Sequence, residues 1–314
     1  MLTGKWATSW SAALIVLLAT AANGKALAGQ SEGETSIPAI PAANNSWPEV
    51  NLNAVVLDKH GAPQAVDEKQ FRLFEDGAER PLQFRGSPDS PVSIGFIVDC
   101  SGSMFNRREL VATAVKTIVK TLPEGSEVME VSFSDQAFID LRLTPVSGID
   151  PAFPDHLDAR GGTALYDAVI ATEKYFAAHA RYVRRALVLI SDGYDNASKA
   201  GLEEAMRSLQ YPGAPTFYAA SVYGEKKSYA EVRLGSRAME FLAQAGGGVA
   251  FTSSKDKDLP PAVARLADMI SSQSVLHFTA ADPERNGVAR KLEVRLPIKE
   301  VEIHALPAYF APAK

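Results

Sequence analysis

The segment FIVDCSGSMFN, residues 96–106, determines how this sequence is interpreted. An apolar run ends at Asp99, and two hydroxyl side chains follow at alternate positions, Ser101 and Ser103. Oxygen atoms with this spacing either cap the start of a helix or bind a hard metal ion. The rest of the chain favours the metal ion over the helix cap.

The middle of the chain alternates between strand and helix patterns. Continuous apolar runs at 92–98 and 186–190 are typical of strands covered on both faces. Residues 110–122 and 164–180 carry apolar side chains at helical spacing, and 128–143 predicts a hairpin. Further strands are predicted at 217–222 and 249–252, and further helices at 201–209, 229–245 and 258–272. This order predicts an α/β fold with a doubly wound, Rossmann-like, mostly parallel sheet and one antiparallel edge strand.

Both ends of the chain contain short apolar runs separated by turn residues, such as Asp76-Gly77. We therefore predict an α/β domain over residues 91–272. It is inserted between two halves of a small β-rich unit, 49–88 and 273–314. The alternative is that the two ends form unrelated β appendages.

The first residues have the pattern of a signal peptide. The apolar run 12–22 follows a lysine, and a small-residue cleavage pattern ends at Ala28. A membrane anchor is the alternative, but the run is shorter than the roughly 20 residues that span a bilayer. The prediction is a signal peptide over 1–28, a mature start near Gly29 and a flexible linker over 29–48. We expect an exported protein, periplasmic or secreted, without a transmembrane segment in the mature chain.

The composition argues against a nucleic-acid-binding protein and against a disulfide-stabilised fold. The net charge of −5 and the lack of a basic patch argue against a nucleic-acid partner. Cys100 is the one cysteine, so no disulfide forms within the chain.

Three loops are predicted at the carboxyl edge of the sheet, where open α/β sheets bind ligands. They are 99–103, 161–163 and 191–193. Their hydroxyls and carboxylates are the hard oxygen donors that suit Mg²⁺ or Mn²⁺. Thr163 by itself could cap the helix that follows it, and Asp192 by itself could belong to an ordinary turn. Their occurrence together favours a metal site.

The motifs DCSGSM, GGTALYDA and LISDGYDN resemble the three parts of the metal-ion-dependent adhesion site of von Willebrand factor type A domains. All five positions of that pattern match: Asp99, Ser101, Ser103, Thr163 and Asp192. The resemblance implies that the three hydroxyls coordinate Mg²⁺, for which Mn²⁺ can substitute. It implies that the two carboxylates hold the ion through water and hydrogen bonds. A partner's Asp or Glu carboxylate would complete the coordination shell.

The flanks VVLDKHGAPQAVDEKQFRLFEDGAERPLQF and EIHALPAYFAP are similar to the ends of a bacterial group of exported von Willebrand A-related proteins, described mainly from Acidobacteria. We expect an exported, metal-dependent protein-binding module of the adhesion type without catalytic activity. A structural protein with an internally satisfied or unused metal site is one alternative. A metal-dependent hydrolase is another, but the three loops contain no His, Lys or Glu to act as a general base.

Three residues near the site are not expected to bind the ion. Cys100 is expected to turn into the core as a small hydrophobic side chain, because its neighbours point toward the ion. Asp195 and Asn196 are expected to lie in a solvated loop.

Overall fold

The computed structural model of this 314-residue chain describes residues 47–150, 153–154, 160–223, 228–252 and 255–313. The predicted signal peptide and all but the last two residues of the predicted linker lie outside these ranges. Within them, no helix combines the length and the apolar character needed to cross a membrane.

The described residues form five α-helices and fourteen strands. The helices are α1 (Arg108–Val119), α2 (Leu165–His179), α3 (Leu202–Ser208), α4 (Tyr229–Ala245) and α5 (Leu259–Ser271). The strands are β1 (Glu49–Asp58), β2 (Arg72–Glu75), β3 (Ala78–Arg80), β4 (Gln83–Gly86), β5 (Ser93–Asp99), β6 (Glu127–Phe133), β7 (Ala137–Pro145), β8 (Arg185–Ser191), β9 (Thr216–Ser221), β10 (Ala250–Phe251), β11 (Ser274–Thr279), β12 (Ala289–Arg295), β13 (Val301–Ala305) and β14 (Ala308–Phe310).

A six-stranded sheet in the order β10-β9-β8-β5-β6-β7 forms the centre of the molecule. Neighbouring strands from β10 to β6 run parallel, and β7 pairs with β6 in the antiparallel direction at one edge. The prediction of an α/β fold with a mostly parallel sheet is therefore confirmed. Parallel pairing of β5 with β8 places their carboxyl ends side by side, and this arrangement positions the candidate site.

Helices cover both faces of this sheet. All seven residues of β5 are buried, because its side chains alternate between two apolar clusters. Phe96 packs in the cluster that includes residues of α1 and α5, and Ile97 packs in the cluster that includes residues of α2 and α4. Gly95 leaves room for both neighbours, since an added Cβ would lie 3.3 Å from Phe176 Cδ2 of α2 and 2.6 Å from Leu187 Cδ2 of the adjacent strand β8.

Two smaller sheets combine strands from both ends of the described chain. One has the order β13-β1-β11-β4 and the other β14-β12-β2-β3. β1 pairs antiparallel with β11, with Glu49 opposite Thr279, and with β13, with Ala54 opposite Ala305. The turn between β2 and β3 has positive φ angles of 49° at Asp76 and 83° at Gly77, as Asp-Gly hairpin turns require.

Arg184 links the central sheet to the segments where the chain enters and leaves it. Its side chain is fully buried, and its guanidinium donates hydrogen bonds to the carbonyl oxygens of Pro88 (2.7 Å), Ile270 (2.7 Å) and Ser271 (3.2 Å), and to that of Ser90. These bonds satisfy Nη1 and Nη2, whereas Nε has no hydrogen-bond partner among the described residues, and a buried cation is tolerated where most of its donors are satisfied. Arg184 therefore joins the two chain crossings to the start of β8.

Candidate metal-binding site

Backbone hydrogen bonds join the three predicted loops at the carboxyl edge of the sheet. Gly102 N donates to Gly161 O (3.2 Å), and Arg160 N donates to Cys100 O (2.8 Å). On the other side, Asn196 N donates to Thr163 O (3.0 Å). The loop before α2 is thus held between the loops that follow β5 and β8.

The side chains of the outer two loops form a hydrogen-bonded chain. Ser101 Oγ lies 3.1 Å from Ser103 Oγ, and Ser103 Oγ donates to Asp192 Oδ2 at 2.7 Å. Asp99 accepts hydrogen bonds from the backbone N–H of Ser101 (2.8 Å) and from Ser191 Oγ (2.5 Å). Four of the five predicted site residues are therefore connected directly or through the Ser101 backbone.

The helix-cap interpretation of these hydroxyls is not supported. Ser101 occupies the N-cap position of the short 3₁₀ helix at Gly102–Arg107, but its side chain makes no capping hydrogen bond. The N-cap positions of α1 and α2 belong to Arg107 and Ala164, and neither side chain forms a cap. The oxygen atoms of Ser101 and Ser103 instead face each other and Asp192.

Thr163, the fifth predicted residue, is 2% exposed and is held through its backbone. Its N–H donates to Asn196 Oδ1 at 2.9 Å, and its carbonyl accepts from the N–H groups of Asn196 and Ala197. Asp195 Oδ2 accepts from the N–H of Tyr166 (3.1 Å) in the first turn of α2. Asp195 and Asn196 lie in a loop, half-buried and exposed respectively, as expected, and their side chains also hold Thr163 and the first turn of α2.

Two carboxylates are buried at this edge of the sheet, and their negative charges are unfavourable there unless a cation balances them. Asp99 is 2% exposed and Asp192 is 0% exposed. Burial, and secondarily the charge of Asp192, raise the pKa of Asp99 to about 6, while hydrogen bonds from Ser101 and Ser191 oppose the shift. Among the described residues, no basic side chain forms an ion pair with Asp99.

The donor set fits a hard divalent cation. Hydroxyl and carboxylate oxygens are the ligands that Mg²⁺ prefers, and its charge would offset that of two buried carboxylates. In the part of the chain that the structure describes, no group of three or more His, Cys, Asp or Glu side chains is arranged for a metal. Any ion at this edge would therefore depend on hydroxyl ligands.

Two glycines bring α4 against the Asp192 loop. Gly193 has a φ of +74°, and a Cβ added there would lie 2.6 Å from Gly235 O. A Cβ added to Gly235 in α4 would lie 2.3 Å from Asp192 O. Sequence reasoning missed Gly235, because a glycine within an amphipathic helix has no local signature of such a contact.

A further supporting residue that sequence reasoning missed is Asp135, in the turn between β6 and β7. Its Oδ1 accepts from Gly162 N at 2.8 Å, and Ser134 O accepts from Ala164 N at 2.7 Å. This turn supports the Thr163 loop from the side opposite Asn196. Cys100 is 5% exposed and packs in the cluster shared with α1 and α5, as expected.

Residues 94–194 match the model of the von Willebrand factor type A domain family. The matched stretch contains all five predicted site residues, and it supports a domain of this class at the centre of the chain. Such a domain indicates a protein-interaction module of the adhesion or scaffold type.

Several solved structures resemble this chain at low sequence identity. A von Willebrand factor type A protein from Catenulispora acidiphila is 15% identical with a TM-score of 0.49, covering 87% of this chain and 76% of its own. The PilB minor pilin from Streptococcus sanguinis is 12% identical with a TM-score of 0.46, covering 60% of this chain. This chain spans 63% of that pilin. The pilus adhesin SpaC from Lactobacillus rhamnosus GG is 11% identical with a TM-score of 0.47, covering 79% of this chain and 49% of its own. A comparison with curated proteins finds no match.

Proposed function

We propose that this protein is an exported, divalent-metal-dependent protein-binding module of the adhesion type, without catalytic activity of its own. The observation that supports it best is the convergence of hydroxyls and buried carboxylates at one edge of the sheet. Ser103 Oγ, which donates to Asp192 at 2.7 Å and contacts Ser101, lies at the centre of this arrangement.

Ser101, Ser103 and Thr163 would hold Mg²⁺ directly, and Asp99 and Asp192 would hold it through hydrogen bonds and water. Mn²⁺ would substitute. The ion, when bound, supplies a Lewis-acidic centre with an open position for an Asp or Glu carboxylate of a partner protein. The three neutral hydroxyls preserve that acidity, because they add no negative charge next to the ion. Asp99 and Asp192 would supply the negative charge that balances the charge of the ion.

A structural role with an unused metal site is the second candidate. It is favoured by one observation: Ser103 Oγ already donates to Asp192, so the loops are hydrogen-bonded to each other without an ion. A hydrolase has no comparable support, since the three loops contain no His, Lys or Glu to act as a general base.

Thermal unfolding of the metal-stripped protein during titration with Mg²⁺ and Mn²⁺ tests the metal site. Ions at 100 times their dissociation constant would stabilise the fold by about 2.7 kcal/mol. Ser103→Ala and Thr163→Ala should lose this response. Ser208→Ala is a matched control, because its hydroxyl also donates one hydrogen bond, to Ala205 O at 2.7 Å, but lies in α3. A wild type that does not respond to millimolar ions would support the structural role.

Partner recognition needs its own measurement. Peptides that present an Asp or Glu would be compared with their Asn or Gln analogues, with Mg²⁺ and with chelator present. Binding that requires both the carboxylate and the ion supports the adhesion proposal. Metal binding without any carboxylate preference would leave the ion in a structural role.

Export is tested by sequencing the N-terminus of the protein recovered from cells that express the full chain. The proposal expects a mature start near Gly29, in the periplasm or the medium. A chain that keeps Met1 and stays with the cytoplasmic fraction would contradict it.

A further inference from the structure

A cavity of about 380 Å³ lies away from the metal edge, between α2, α3 and the last strand, β14. Cavities that bind small molecules in proteins have volumes of roughly 300–1,000 Å³ and mostly apolar walls. Its walls include Trp47, Ala177, Pro212 and Phe310. Leu165, the first residue of α2, and Glu173 are eight residues apart along the helix, which places the cavity roughly 12 Å from the start of α2 beside the metal loops.

Two buried polar groups line the inner wall of this cavity without hydrogen-bond partners. Glu173 is 3% exposed, and neither its Oε1 nor the Oη of Tyr211 has a hydrogen-bond partner at ordinary distance among the described residues, although the two side chains are near enough to affect each other's pKa. Buried polar atoms that lack a partner destabilise a fold by roughly 1–3 kcal/mol each, so they call for an explanation. A ligand atom between them would satisfy both.

Three cations surround the mouth of the cavity. Lys174, Arg207 and Arg285 are exposed, and none forms an ion pair with another described residue. The Arg207 guanidinium lies over the Phe310 ring, 4.3 Å from its centroid, which holds the charge above the apolar wall. The mouth therefore favours an anionic group.

We propose that this cavity binds a small aromatic carboxylic acid that carries a hydroxyl at the far end of its ring. The carboxylate lies at the mouth, facing Lys174, Arg207 and Arg285. The ring packs against Trp47 and Phe310, and the hydroxyl hydrogen-bonds with Glu173 and Tyr211. Each part of the ligand thus corresponds to one feature of the cavity.

The protonation state of Glu173 agrees with this arrangement. Burial raises the pKa of Glu173 to about 8, against weaker opposing effects of Tyr211, Lys174 and Arg185. At neutral pH the inner wall is therefore mainly uncharged, so it does not repel an anionic ligand. The carboxyl and the phenol can each donate or accept a hydrogen bond to the ligand hydroxyl.

A matched series of four probes tests the proposal: 3-(4-hydroxyphenyl)propionate, 3-phenylpropionate, 4-ethylphenol and tyramine. All four contain the same aromatic ring. The first has both the hydroxyl and the carboxylate, and 3-phenylpropionate lacks the hydroxyl. 4-Ethylphenol lacks the carboxylate, and tyramine has an ammonium in its place. Binding is measured by calorimetry and by the fluorescence of Trp47. The chain has three tryptophans, and Trp6 and Trp10 lie in the proposed signal peptide, so Trp47 is the reporter in the protein prepared from Gly29 onward.

The first probe should bind with a dissociation constant of roughly 10 µM to 1 mM. Loss of the hydroxyl or of the carboxylate should each weaken binding roughly tenfold, and tyramine should not bind. The same affinities are expected with Mg²⁺ and with chelator, which separates this site from the metal edge. Equal binding of all four probes, or no saturable binding of the first, would overturn the proposal.

Two variants assign the contacts. Tyr211→Phe should weaken 3-(4-hydroxyphenyl)propionate but not 3-phenylpropionate, since only the first has a hydroxyl to lose. Arg207→Gln should weaken both acids but not 4-ethylphenol. Arg233→Gln in α4, an exposed arginine outside the cavity, is the matched control and should change none of the affinities. Uniform weakening of all the probes by Tyr211→Phe would contradict the placement of the hydroxyl.

Discussion

Replacement of Asp99 by Asn should stabilise the metal-free protein and abolish its response to Mg²⁺. Burial and the neighbouring Asp192 raise the pKa of Asp99 from 3.8 to about 6. This rise in pKa corresponds to about 3 kcal/mol of destabilisation of the fold when Asp99 is ionised. Asn has the same shape, and its side-chain NH₂ can donate to Ser191 Oγ. We expect the metal-free variant to be about 1–3 kcal/mol more stable than the wild type at pH 8.

The pH dependence gives the sign of this effect. Because the folded-state pKa is raised, ionisation of Asp99 destabilises the fold above about pH 6. The destabilisation fades as the pH falls through 6 and is absent below 3.8, where Asp99 is protonated in both the folded and unfolded states. The advantage of the variant should therefore be present at pH 8 and absent at pH 3.5.

Urea unfolding in chelator at both pH values, and with 10 mM Mg²⁺ at pH 8, measures these differences. Saturating Mg²⁺ should stabilise the wild type and leave the variant unchanged. Asp67→Asn is the matched control: Asp67 is exposed and caps the short helix Glu68–Gln70, and Asn caps helices equally well. If Asp99→Asn instead destabilises the metal-free protein at pH 8, the carboxylate is a structural hydrogen-bond acceptor, and the reasoning from charge repulsion is refuted.

Three further substitutions test the cavity, the junction at Arg184 and the packing behind the metal loops. Glu173→Gln should raise the free energy of unfolding above pH 8 by up to about 3–5 kcal/mol, measured by urea unfolding. Burial moves the pKa of Glu173 from 4.5 to about 8, so the wild type loses stability as the pH rises across that interval. No gain at pH 9 would contradict this. Arg184→Met should destabilise the fold by about 3–5 kcal/mol, because it leaves buried carbonyl oxygens without donors; a loss below 1 kcal/mol would show that water replaces them. Gly235→Ala should cost about 1–3 kcal/mol and weaken Mn²⁺ binding, because its Cβ meets Asp192 O. Gly148→Ala, whose added Cβ would meet only Thr144 Cγ2 at an ordinary 3.6 Å, should be nearly neutral in both measurements.

Much of the fold could be predicted from the sequence, because the signals are local. The apolar runs of β5 and β8 indicate strands covered on both faces, and both strands lie fully inside the central sheet. The Asp76-Gly77 pair predicts the β2–β3 hairpin, since only certain residues adopt its positive φ angles readily. The start of α2 at Leu165 follows the predicted start by one residue.

The supporting contacts of the candidate site could not be predicted, because they join distant residues without a local pattern. Asp135 supports Gly162 across 27 positions, and Asn196 supports Thr163 across 33. Both are ordinary polar loop residues in the sequence. Whether their side chains point at a backbone N–H or at water depends on how the loops meet, and this follows only from the packed sheet.

The buried acids of this protein differ in their electrostatic surroundings: guanidinium nitrogens of Arg80 and Arg290 lie 3.8 Å from Glu75, whereas no described basic side chain forms an ion pair with Asp99 or Glu173. Glu75 accepts hydrogen bonds from Tyr309 Oη (2.5 Å) and Ala281 N (2.7 Å), so its burial is explained by structure. Asp99 and Glu173 instead have strongly raised pKa values, and each lies in one of the two proposed sites. Glu130 shows that a raised pKa is not sufficient evidence: burial raises its pKa to about 8, yet its neighbours are the exposed Asp140 and the edge strand, away from any cavity described above. What distinguishes Asp99 and Glu173 is a second observation beside each, namely the hydroxyl chain at one and the cation-ringed cavity at the other.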